Sequence, residues 1–268
     1  MLPKPQVPFP VSSDHRVRPD LVRLEGPPFL LDCEYPRYRA AKLEAFGSEP
    51  SSALLSPAHQ PSKVSAALEG LWSQLPQAPG EDAGSIPPTS ALLEFGKAAA
   101  LRVQEDLVLM HGTQLEALWV CFPSHWNPLD KIGRSFAEIH TPVPHSERLQ
   151  AAQHNVARAM SQKGPFVRYV WGLTFDPALS AHPHRPTRLS GPQVYFRTER
   201  QVTLPLPELE RSWFLIRVYV VPVERVAHTP ERRAALRHAL QTLPEAHRTY
   251  KPATVAAHAW LEAQGFFR

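Results

Sequence analysis

Apolar positions along the chain recur at two periods, and the change from one to the other marks the elements. At helical spacing, Val64, Leu68, Leu71 and Trp72 fall on one face of a stretch from Ser62 to Leu75. Leu92, Phe95, Ala99, Val103, Leu107 and Met110 do the same from Ala91 to about Met110, with Thr89 or Ser90 as the cap. A shorter helix reads from Pro36 to Phe46, stopped by Gly47. Ser146 caps another through Lys163, ended by Gly164-Pro165. Thr229-Pro230-Glu231 opens one toward Leu243, because proline's missing N–H costs nothing in a first turn. A last helix spans Pro252 to Gln264, before Gly265.

Strands carry the second period. Leu115 to Phe122 is a buried apolar run. Phe166 to Thr174 alternates, with Phe166, Arg168 and Val170 on one face and Val167, Tyr169 and Trp171 on the other. Gln193 to Leu204 puts Gln193, Tyr195, Arg197, Glu199, Gln201 and Thr203 on one face, which is expected to meet solvent; facing a cavity, Arg197 and Glu199 would suit a charged ligand. Trp213 to Val221 follows after Pro205–Ser212 and makes an antiparallel hairpin with it. Two polar insertions need partners. Arg217 interrupts an apolar strand. Glu105 and Asp106 fall in the last turns of the third helix, where the helix dipole disfavours anions. The pattern predicts an α+β fold, an antiparallel sheet of at least four strands flanked by helices. It forms a single domain over residues 1–268, with an irregular wrap over about 1–30 and long proline-rich connections at 48–61, 76–88 and 176–192.

Composition sharpens this picture. Proline reaches 30 of 268 residues while glycine stays at 12, so the connections are stiff rather than flexible. Hydrophobic residues at 43% suffice for a core. A net charge of +4 without a Lys/Arg block argues against a nucleic-acid partner. Cys33 and Cys121 are too few for a disulfide framework or a zinc site and read as buried free thiols. The N-terminus has no apolar signal core and no run approaches a membrane span, which gives the expectation of a soluble, cytoplasmic protein.

One stretch gathers most of the candidate chemistry. Cys121 to His145 holds Trp126, Lys131, Gly133, Arg134 and His140, and closes on Pro142 and Pro144. Prolines on both sides fix the backbone, so His140 can be held in place as a ligand or catalytic group requires. The ordinary alternative is a histidine satisfied by backbone. Glycine-rich phosphate loops and nucleophile elbows are absent. His182 and His184 lack the spacing of a structural zinc site and read as surface imidazoles.

Three segments carry a family resemblance: Val103–Met110; Cys121-Phe-Pro-Ser-His-Trp through Lys131-Ile-Gly133 to Ile139-His-Thr-Pro-Val-Pro144; and Tyr195-Phe-Arg-Thr-Glu-Arg-Gln-Val-Thr203 with Phe214–Tyr219. Over roughly residues 20 to 250 the chain resembles the haem-dependent oxidative N-demethylase alpha-subunit-like family, formerly a domain of unknown function. The resemblance implies a PAS-like haem-binding fold and haem b as cofactor. It implies oxidation of a small secondary alkylamine by O2, with electrons from a separate reductase. Carried over residue by residue, it makes His140 the axial iron ligand. Lys131 and Arg197 would pair with haem propionates. Glu199 would hold the alkylammonium and take its proton, with Trp171 contacting that cation. His125 stands at a variable position before Trp126, and Val202 departs from the expected pattern. A non-catalytic PAS-like sensor or carrier of haem or another small ligand is the alternative.

Overall fold

In the computed structural model, residues 2–12, 20–78 and 91–268 are described. Strand β1 (Val22–Arg23) precedes helix α1 (Tyr35–Ser48), followed by β2 (Ala53–Leu55), α2 (Pro61–Trp72) and α3 (Leu92–Leu101). A hairpin of β3 (Asp106–His111) and β4 (Gln114–Trp119) leads into three short helices, α4 (Phe136–His140), α5 (Glu147–Ala151) and α6 (Gln153–Gln162). The long strands are β5 (Phe166–Thr174), β6 (Tyr195–Leu206) and β7 (Arg211–Pro222). Helices α7 (Val223–Val226), α8 (Pro230–Gln241), α9 (Glu245–Tyr250) and α10 (Pro252–Ala263) complete the chain. Among the described residues the strands form one seven-stranded antiparallel sheet in the order β1-β5-β6-β7-β3-β4-β2. This is the expected α+β class, with the β6–β7 hairpin in place.

Register decides which side chains share a face, because directly opposed residues point the same way. Glu199 opposes Val170 on β5 and Val218 on β7, and Arg197 opposes Gly172 and Val220. Their face packs against Leu149, Val156 and Met160 of α5 and α6 and against Phe136 and Ile139 of α4. The opposite face meets α2 and α3 through Leu68, Leu71 and Phe95. Further along, it meets α8 and α10 through Leu236, Leu240, Ala257 and Leu261. With both faces covered, the polar side of β6 does not meet solvent. Arg197, Glu199 and Thr203 are buried, which corrects the expected outer face.

Other corrections follow from packing. The third helix stops at Leu101 and the chain turns into β3, so Gln104, Glu105 and Asp106 lie at a strand start, not a helix end. Leu107 to Met110 is a continuous apolar run that sheet burial claims on both faces. The acidic pair does find the expected cations: Lys42 Nζ lies 3.8 Å from Asp106 and Arg217 3.9 Å from Glu105. Arg217 also reaches Asp32 at 2.5 Å. The stretch from Ser146 to Lys163 is two helices broken at Ala152, and Ser146 caps neither through its side chain. Gly47 lies inside α1, the 48–61 connection contains β2, and α9 has no counterpart in the pattern reading. Cys33 is exposed while Cys121 is buried, where desolvation raises its thiol pKa well above the usual range. The expected cap at Thr89 or Ser90 lies outside the described residues. In the N-terminal segment, Pro3 accepts from the Cys33 N–H at 2.8 Å, and Phe9 packs on Phe196 at 5.6 Å. Among the described residues no helix is long and apolar enough to cross a membrane.

Candidate functional site

Helix α4 is only five residues long, but both its ends are fixed. Ser135 and Glu138 form a reciprocal capping box, satisfying the first backbone donors. Upstream, Gly133 takes φ +75°, a left-handed turn that a Cβ would strain. Downstream, Ser146 Oγ donates to the His140 carbonyl at 2.9 Å, and Lys131 Nζ donates to the Ile139 carbonyl at 3.0 Å. His140 therefore sits on a backbone held from three sides.

The imidazole is held as well. His140 Nδ1 lies 2.7 Å from the Phe136 carbonyl oxygen, with the two rings 4.3 Å apart. A carbonyl only accepts, so Nδ1 carries the hydrogen and Nε2 keeps its lone pair. Burial lowers the His140 pKa, and the charges of Arg168 and Lys131 push it the same way against the Phe136 bond. The ring is thus a neutral donor of one lone pair.

Arg168, on the same sheet face as Glu199, faces both groups. Burial lowers its pKa, while Asp20 and Glu199 counter it. Its Nε atom is buried and finds no hydrogen-bond partner among the described residues. An unpartnered guanidinium nitrogen beneath a covered face is costly, and an anionic ligand would satisfy it.

Across the same face lies a polar cluster on β6. Arg197 Nε donates to Ser124 Oγ at 3.0 Å, and Ser124 in turn donates to Glu199. Gln201 Nε2 donates to the other Glu199 oxygen at 2.7 Å. Arg197 also gives its two terminal nitrogens to the carbonyls of Ala178 and Phe122, each at 3.3 Å. The negative charge of Glu199 extends to Lys251, whose pKa burial lowers, and to Tyr250, whose pKa burial raises. His125 takes a left-handed backbone, φ +62°, and its burial beside Arg197 lowers its pKa. A non-glycine residue held there marks a segment shaped by its surroundings rather than by local preference.

The structure thus brings His140, Lys131, Arg197 and Glu199 to one side of the sheet and leaves Trp171 out. Trp171 opposes Thr198, not Glu199, and stacks on Phe196 at 5.9 Å within the opposite core. Its backbone carbonyl alone reaches the cluster, accepting from Lys251 Nζ at 2.8 Å. Arg197 and Lys131 donate to the chain, whereas Arg168 Nε has no partner among the described residues. The sequence pattern placed Arg168 on one face of its strand without giving it a role; Ser124 and Gln201 lay within the segments that carry the resemblance but were given no role, and Lys251 was not singled out, since their convergence exists only in three dimensions.

Residues 84–261 match the model of one protein family, described as haem-dependent oxidative N-demethylase, alpha subunit-like. The matched span contains all three segments that carry the resemblance and every residue of the cluster just described.

Proposed function

The chain belongs to the haem-dependent oxidative N-demethylase, alpha subunit-like family, and from that premise we propose that it is the haem-binding, amine-oxidising subunit of an oxidative N-demethylase with a PAS-like fold. The observation that carries the reading is the His140–Phe136 hydrogen bond, which leaves Nε2 as a lone-pair donor beside two cations. The residues fit haem. A neutral imidazole of fixed tautomer suits an axial ligand, with the Phe136 carbonyl as its orienting partner. The buried Arg168 Nε, which has no hydrogen-bond partner among the described residues, suits a propionate. Arg197 holds the Ser124 loop instead, and Lys131 fixes the backbone before His140.

When bound, haem supplies a redox-active iron at which O2 is reduced with electrons from outside the chain. The chain's own groups prepare the amine. Glu199 is a buried carboxylate with both oxygens oriented, by Ser124 and Gln201. It receives the ammonium form of a small secondary alkylamine and accepts its proton at a carboxylate oxygen, freeing the nitrogen lone pair. The covered sheet face excludes water and so strengthens that charge pairing. The overall change takes one N-methyl amine, O2, two electrons and two protons to the demethylated amine, formaldehyde and water. The electrons come from a separate reductase.

The test supplies haem-loaded protein with O2, an electron donor and a panel of N-methylated secondary amines, and measures formaldehyde. Release that requires both haem and Glu199 supports the reading. Haem uptake with no formaldehyde from any amine would leave a haem sensor or carrier in its place.

A further inference from the structure

Beyond the groups of the sheet cluster, the connection between β5 and β6 folds back on the end of α1. There Glu49, His182 and His184 each offer one ligand atom, and the three atoms lie within 4.8 Å of one another. His184 Nε2 is 3.2 Å from Glu49 Oε1, and the two imidazole rings are 4.3 Å apart. The fold assembles this group from positions more than a hundred residues apart, which is why the His182–His184 spacing alone showed no metal pattern. We infer that Glu49, His182 and His184 form a binding site for a divalent transition-metal ion of the zinc type.

The donor set selects the ion. Two imidazoles and one carboxylate suit borderline ions such as Zn2+ or Co2+ and not Mg2+ or Ca2+, which prefer oxygen throughout. Three protein ligands leave a fourth position for water. Glu49 balances one positive charge, and the Asp130 carboxylate lies close enough to act on His182. Ser51 Oγ lies 3.5 Å from His182 Nε2, a contact that helps set the ring.

Its place in the fold gives the site a consequence. Ala181, one residue before His182, pairs with Ser124, the Glu199 partner. The Ala181 N–H donates to the Pro123 carbonyl and the His125 N–H to the Ala181 carbonyl, both at 2.9 Å. An ion held by the three side chains would clamp this connection to α1 and so steady the segment that presents Ser124 to Glu199. The inference stands on the three ligands and does not depend on haem.

The experiment titrates tag-free, chelator-treated protein with Co2+, followed by visible absorption, and with Zn2+, followed by calorimetry. One saturable equivalent per chain is expected. Removing a ligand should cost at least the ~10-fold typical of losing a group that only hydrogen-bonds to a ligand, so Glu49→Gln should bind more than ~10-fold more weakly and His182→Ala/His184→Ala should lose the equivalent. His228→Ala, an exposed histidine elsewhere, should titrate like the parent. All three substituted sites are at least partly exposed, and matching circular dichroism spectra exclude unfolding as the cause. Absence of a saturable equivalent, or its persistence in the double variant, overturns the inference.

Discussion

Arg197 Nε donates to the Ser124 hydroxyl at 3.0 Å, and its other nitrogens hold the Phe122 and Ala178 carbonyls. One guanidinium thus gathers the end of the β4 exit and the β5–β6 connection onto β6. Lysine keeps the charge but lacks the planar fork, leaving buried carbonyls without donors. Arg197→Lys should therefore lose about 2 kcal/mol in urea unfolding. An unchanged midpoint would show that the fork is dispensable.

Glu199 is oriented by Ser124 and Gln201 and is given the proton-accepting role. Glutamine preserves its shape and removes its charge. Glu199→Gln should retain haem with an unaltered spectrum while amine turnover drops by at least ~100-fold, the lower range for a general base. Parallel loss of haem would instead make the residue part of the haem cradle.

Arg168 has a buried Nε with no partner among the described residues. If it meets a haem carboxylate, Arg168→Met should weaken hemin affinity by about 10- to 100-fold, the equivalent of one charged hydrogen bond. The position of the Soret band should not move, because the axial ligand is untouched. Unchanged affinity in a fluorescence-quenching titration would assign the propionates elsewhere.

Asp106 is fully buried, and desolvation raises its pKa from 3.8 to about 6 despite Lys42 and the backbone N–H groups of Cys121 and Phe122. A carboxyl whose folded pKa is raised binds its proton more tightly in the native state. Its contribution to stability is present below pH 3.8 and is lost as pH rises toward about 6. Between those values the parent should lose stability relative to Asp106→Asn, whose side chain does not titrate. Urea midpoints of both proteins across this window give the difference curve; a flat difference would contradict the raised value.

What the sequence made legible was whatever rests on local chemistry. Alternation along Phe166–Thr174 placed Arg168 and Trp171 on opposite faces, as observed. The Thr229-Pro230 start is present, with Thr229 Oγ1 accepting from the Arg232 N–H. The motif histidine sits in a rigid setting, on α4 rather than in a loop. What stayed hidden depends on tertiary burial. The polar side of β6 looks like a solvent face until α6 covers it, and Leu107 to Met110 fits a helical stripe until β7 pairs with it. Trp171 has the chemistry to contact an ammonium ion, yet strand pairing sends it to the other core.

Ligation of haem iron by His140 Nε2, as proposed above, would show in the ultraviolet–visible spectrum of the purified protein on titration with hemin, beside His140→Ala. A Soret band is expected in the parent, saturating at one equivalent, and weakened or shifted in the variant. No uptake by the parent, or the same band in both proteins, would contradict it.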